Sequence, residues 1–171
     1  MIARRTALFL CLSHLLVGLL LVPGWLVVDV DDAWRMVPDE VPDALLLAID
    51  RGVGAYELPG LGIMLMLFWV VAFGSVGLTA RSGRPKWLLL ASASSAAAGI
   101  LGLISIVVLL AATLAIGLVL PSDWDAFDPD LRISWPAYGF ALGALGNALL
   151  GLVVWLRERR IRKRVCLEAS T

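Results

Sequence analysis

Long apolar runs alternate with polar segments along this chain of 171 residues. The longest run, 87–120, contains no charged side chain, and it is bounded by Lys86 on one side and Pro121 on the other. The hydrocarbon core of a bilayer is crossed by about 20 apolar residues of helix. The run 87–120 is therefore predicted to be a transmembrane helix that is longer than the bilayer requires.

Three other runs, 6–28, 58–80 and 133–156, are predicted to be spans for the same reason. The first follows Arg4 and Arg5, as the apolar part of a signal peptide would. It is too long for that role, however, and no small-residue cleavage pattern follows it. We therefore expect an all-α integral membrane protein, a four-transmembrane-helix bundle that forms a single membrane domain over 1–171.

Composition agrees with this class of protein. Hydrophobic residues make up 60% of the chain, against about 45–50% in soluble domains, and the mean hydropathy is +0.90. Arginine is much more frequent than lysine, and alanine, leucine, glycine and valine dominate. This usage favours a bacterial source.

The charged residues predict the orientation. The N-terminus, the turn 81–86 and the tail 157–171 together hold eleven basic residues and two acids, whereas the loops 29–57 and 121–132 hold twelve acids and three basic residues. Lysine and arginine near span ends stay on the cytoplasmic side. Both termini are therefore predicted to be cytoplasmic, the two acidic loops to be outside, and the chain to lie in the plasma (inner) membrane.

The first outer loop carries the signals of a short helix. Prolines and acids precede the run 43–50, and Gly52 follows it. Val41, Leu45 and Ile49 would share one face of that helix. We expect a short amphipathic helix that packs against the projecting end of the third span.

Small residues recur at helical spacing in two of the predicted spans. On the fourth span they form one stripe with Asn147, and the third span offers a matching face of small residues. Helices in lipid approach closely along such faces. The stripe predicts helix packing, either within one chain or between two copies, through Gly139, Gly143, Gly151, Gly99 and Gly102.

Three polar residues are predicted to lie at one depth. His14, Ser95 and Asn147 stand eight or nine residues from the cytoplasmic ends of their spans, or about 12–14 Å at 1.5 Å per residue. Because polar side chains do not face lipid unpaired, this candidate polar layer should point into the bundle. It is either a set of structural hydrogen bonds or a small polar site that uses His14 as a neutral ligand or proton relay.

No motif for catalysis, cofactor binding or metal binding is found, so no catalytic, cofactor-binding or metal residue is predicted. The acids Asp123, Asp125, Asp128 and Asp130 lack the glycine and the spacing of a calcium loop. No charged residue lies inside a span, which argues against an ion-coupled transporter.

The sequence is compatible with two functions. The first is a non-enzymatic subunit or scaffold that binds other membrane proteins, or a homo-oligomer in the lipid bilayer, with no nucleic-acid partner. The alternative is a transporter or channel component for a small neutral or weakly polar solute.

Overall fold

The computed structural model describes residues 4–29, 60–119 and 130–168. These ranges contain four helices and one two-stranded ribbon. In chain order the elements are α1 (Arg4–Leu19), β1 (Leu26–Asp29), α2 (Leu61–Ser82), α3 (Lys86–Val119), β2 (Asp130–Ile133) and α4 (Trp135–Glu168).

Three of the helices are long and apolar enough to cross a membrane. The qualifying segments are Leu61–Ser82 in α2, Lys86–Ala111 in α3 and Trp135–Arg162 in α4. The prediction of a helical membrane protein is confirmed to this extent. Both α3 and α4 contain 34 residues, or about 51 Å of helix at 1.5 Å per residue, so each exceeds about 30 Å of hydrocarbon.

The first helix is shorter than the predicted span 6–28, because α1 ends at Leu19. Pro23 lacks the N–H that a continuing helix would require, and it disfavours helical geometry in the residue before it. Turn hydrogen bonds close the helix, from Leu20 N–H to Val17 O and from Leu21 N–H to Gly18 O, both at 3.1 Å. The prediction of a helix through Val28 is therefore wrong.

A short β-ribbon at the end of this run is a feature that the sequence analysis did not predict. The strands β1 and β2 pair antiparallel, with Leu26 opposite Ile133 and Asp29 opposite Asp130. Residues 26–28 are apolar and include two valines, and a run of this kind fits a strand as well as a helix. The ribbon joins the chain after α1 to the chain before α4.

The four helices form a closed ring of neighbours, in which α1 and α3 each pack against both α2 and α4. The turn between α2 and α3 is tight, and Gly83 adopts a left-handed conformation (φ 64°) that favours glycine. Its N–H donates to Thr79 O at 2.9 Å, which closes α2.

The fourth helix continues beyond the predicted span 133–156. It starts after β2, at Trp135, and runs through the basic tail to Glu168. No glycine or proline occurs from 152 to 168, and arginine and leucine are good helix formers, so the chain has no reason to break there. The predicted amphipathic helix near 43–50, and its packing against the end of α3, lie outside the described residues.

Two clusters of buried side chains form the core. One lies towards the β-ribbon and is built around Trp25, Trp69 and Phe140. The other joins the first turns of α1 to the last part of α2, and its central residues are Ala7, Leu10, Val76, Leu88 and Ala91. We call the end of the bundle beside this second cluster the basic end. The polar residues described next lie between the two clusters.

Candidate functional site

His14 is the centre of the polar groups inside the bundle. Its side chain is 1% exposed, and both ring nitrogens have partners. Nδ1 lies 2.8 Å from Leu10 O, and Nε2 lies 3.0 Å from Ser95 Oγ. A carbonyl oxygen only accepts hydrogen bonds, so Nδ1 carries the hydrogen. In the neutral ring Nε2 then accepts a hydrogen bond from the Ser95 hydroxyl, which joins α1 to α3.

Asn147 takes part through a residue that the sequence analysis did not select. The Ser13 hydroxyl donates to Asn147 Oδ1 at 2.6 Å, which joins α1 to α4. Asn147 is 4% exposed, and its Nδ2 has no hydrogen-bond partner among the described residues. If the amide were rotated by 180°, the unpartnered position would hold an oxygen instead of a nitrogen. In either orientation one half of this buried amide remains unpartnered within that part of the chain.

All three residues of the predicted polar layer are buried, and two of them are directly bonded. His14 contacts Ser95, whereas Asn147 is reached through Ser13, the neighbour of His14 in the chain. Ser13 was missed because serine in a membrane helix commonly bonds its own helix backbone, as Ser92 and Ser105 do here.

An aromatic contact brings α2 to the same place. Trp69 stacks on His14 with ring centroids 5.3 Å apart, and its ring meets Phe140 edge-on at 5.2 Å. A Cβ added at Gly18 would lie 2.5 Å from Trp69 Nε1, so only glycine leaves room for the indole on α1. The pair His14–Ser95 crosses one diagonal of the helix ring, and the pair Trp69–Phe140 crosses the other.

The predicted packing glycines lie against neighbouring helices of the same chain. A Cβ on Gly143 would meet Val17 of α1, and one on Gly139 would meet Leu20 in the turn after α1. A Cβ on Gly151 would meet Ser92 of α3. On α3, a Cβ on Gly99 would lie 2.7 Å from Leu145 Cγ, and one on Gly102 would lie 3.3 Å from Ala141 Cβ. The faces that carry these glycines are thus occupied by helices of the same chain.

A groove of about 510 Å³ lies between α1 and α2, beside the polar layer. His14 and Trp69 contribute to its wall, but most of the lining is aliphatic or phenyl carbon from Leu15, Leu19, Met66, Val70 and Phe73. The short length of α1 contributes to this groove, because α2 continues past the last turn of α1. The only polar side chains at its wall, His14 and Trp69, are stacked on each other.

The site offers little to a substrate. Ser95 and His14 have the donor–acceptor arrangement of a nucleophile and its base, but Ser95 is 0% exposed and does not line the groove. Over residues 4–29, 60–119 and 130–168, no group of three or more histidine, cysteine or acidic residues lies close enough to hold a metal ion. The geometry is that of hydrogen bonds which fix helices to one another.

Comparison of the chain with protein-family models, with curated proteins and with solved structures finds no match. The fold defines a helical protein with three helices able to cross a membrane.

The His14–Ser95 hydrogen bond should be measurable by a double-mutant cycle. His14→Phe keeps an aromatic ring against Trp69 and removes both ring nitrogens, while Ser95→Ala removes the hydroxyl. We expect a coupling free energy between about 0.6 and 1.7 kcal/mol, the usual mean and upper limit for such bonds in membranes. The measurement is the free energy of unfolding of the two single variants and the double variant in mixed micelles.

The matched control for this cycle is Ser105→Ala with His14→Phe. Ser105 is also fully buried on α3, but its hydroxyl donates to Leu101 O of its own helix at 2.9 Å. The effects of this second pair should add. A His14–Ser95 coupling no larger than that of the control pair would show that the bond does not form in solution.

Proposed function

We propose that this chain is a non-enzymatic subunit or scaffold of a membrane, which binds other membrane proteins along the outer face of α2. One observation carries the proposal: Gly74 and Gly77 open onto empty space, whereas the glycines of the α3–α4 and α1–α4 contacts are filled by neighbours. Small residues on an exposed helix face allow another helix to approach closely.

The residues around these glycines fit the same role. Val70, Val71, Phe73 and Leu78 are exposed on α2, so large apolar side chains surround the open positions. Lipid chains cover such side chains well, but they gain nothing special from a flat strip of backbone. A partner helix gains close backbone contact there, and that difference in packing supports a protein partner for α2.

The orientation is part of the proposal. We infer that both termini are cytoplasmic, because basic residues gather at one end of the bundle. We infer a bacterial plasma membrane from the excess of arginine over lysine and the abundance of alanine, leucine, glycine and valine. In this arrangement α1 also crosses the bilayer. Its 16 residues supply about 24 Å of helix, and the turn 20–25 would supply the rest of the crossing. The Ser134 N–H donates to Trp25 O, which holds this turn against the residue that precedes α4.

Thiol labelling tests the orientation. Cys11 and Cys166 are first changed to serine. Single cysteines then replace Ser82, the last residue of α2, and Ser122, in the second acidic loop. On intact cells an impermeant maleimide should label the cysteine at 122 and leave that at 82 unlabelled until the membrane is opened. Labelling of 82 with protection of 122 would reverse the orientation.

Bulky residues on α2 test the partner surface. A Cβ added at Gly74 or Gly77 meets nothing within 4 Å, so we expect Gly74→Leu and Gly77→Leu to preserve the fold. We expect each to lower the recovery of a co-purifying membrane protein in mild detergent by tenfold or more, on the order of the 1.4 kcal/mol that a tenfold change requires.

The matched control is Gly146→Leu, because Gly146 is equally open but lies on α4. This variant should keep the partner. Equal recovery from all three variants would place the interface away from α2. Failure to recover any stoichiometric partner with the unaltered chain would contradict the scaffold proposal itself.

The groove between α1 and α2 favours a second candidate function, a transporter or channel component for a small neutral or weakly polar solute. Its volume of about 510 Å³ would admit such a molecule beside His14. The support for this second function is weaker than that for the scaffold, because the groove is lined mainly by apolar side chains. In addition, both ring nitrogens of His14 are already hydrogen-bonded within the protein. Flux of a neutral solute through liposomes that contain the purified protein alone would favour this candidate over the scaffold.

A further inference from the structure

Basic residues from three separate parts of the chain converge at one end of the bundle. Packing places them there: Ala7 and Leu10 of α1 share a buried cluster with Val76 of α2 and Leu88 of α3, and Val154 of α4 packs against it. In each helix, basic residues lie between this cluster and the nearer helix end or the turn that follows it. The positively charged residues concerned are Arg4, Arg5, Arg81, Arg84, Lys86, Arg157, Arg159, Arg160, Arg162, Lys163 and Arg164.

Two tryptophan rings indicate how deep this end lies. Lys86 Nζ is 5.0 Å from the centre of the Trp87 ring, and Arg159 Cζ is 5.3 Å from that of Trp155. Tryptophan prefers the boundary between hydrocarbon and headgroups. Counted from Trp135, about 20 residues of helix also bring α4 to the hydrocarbon boundary close to Trp155. Arg157 and Arg160 therefore lie at the depth of lipid phosphates.

The positive charge at this depth has little compensation from the protein. Among the described residues at the basic end, the acids are Glu158 and Glu168, against eleven arginines and lysines. Arg84, Arg157 and Arg160 are exposed on the turn and on α4. Guanidinium groups bind phosphate through paired hydrogen bonds as well as charge, so exposed arginines at phosphate depth suit a phosphodiester.

We propose that the basic end is a binding surface for the headgroups of anionic phospholipids, with Arg84, Arg157 and Arg160 as the contact residues. The depth of these side chains selects lipid over an acidic protein, because lipid phosphates occupy that layer in every orientation of the bundle. The remaining cations of the tail lie farther out. Along the helix, Arg162 and Arg164 lie about 8–10 Å beyond Arg157, close to one Debye length at physiological salt, and about 3–6 Å beyond Arg160.

The test compares two triple variants of the full-length protein in bilayers that contain phosphatidylglycerol and phosphatidylcholine. One variant is Arg84→Gln, Arg157→Gln and Arg160→Gln. The other, which removes the same charge farther from the phosphates, is Arg162→Gln, Lys163→Gln and Arg164→Gln. The measurement is the relative association of spin-labelled phosphatidylglycerol and phosphatidylcholine with the protein, and thermal unfolding checks that both variants fold.

The unaltered protein should prefer phosphatidylglycerol by about fivefold or more, the ratio that about 1 kcal/mol for a single basic residue near the surface provides. The first triple variant should lose this preference, and the second should keep most of it. Equal association of both lipids with the unaltered protein would overturn the proposal. An equal loss in the two variants would also overturn it, because the effect would then be diffuse attraction rather than contact at Arg84, Arg157 and Arg160.

Discussion

A polar side chain inside a bilayer has no water to bond, so it must find its partner within the protein. The contacts around His14 satisfy this constraint for both nitrogens of the only histidine in the chain. One nitrogen is held by the backbone of α1, and the other reaches across the bundle to Ser95. Together with the buried apolar contacts of Ala7 and Leu10, these bonds hold α1, the shortest of the four described helices, in the bundle.

Glycines allow the helices to approach closely enough for these hydrogen bonds to form. Gly18 leaves space for Trp69 to stack on His14, and Gly143 lets α4 approach Val17 one turn away from the Ser13–Asn147 bond. The network is not complete, because one half of the Asn147 amide has no partner in the described part of the chain. A buried amide left half-bonded costs free energy, so Asn147 contributes less to stability than a fully bonded amide would.

Much of the architecture follows from patterns that the sequence displays openly. Charge-free runs mark α2, α3 and α4, and counting residues along each run brought His14 and Ser95 to one depth. Other features could not be read in this way. The apolar run after Leu19 fits a helix as well as a strand, and β1 is decided by its pairing with β2, far away in the chain. Similarly, glycine spacing indicates a packing face but not which helix fills it, and the partner of Gly143 proved to be α1.

The central claim is that His14 is a neutral, doubly bonded ring that joins α1 to α3. Because the chain has a single histidine, ¹⁵N solid-state NMR of the protein in bilayers gives one unambiguous pair of imidazole signals. The account predicts a hydrogen on Nδ1, a bare Nε2 at neutral pH, and a shift of the Nε2 signal in Ser95→Ala. A hydrogen on Nε2, or an Nε2 signal that is indifferent to Ser95→Ala, would contradict it.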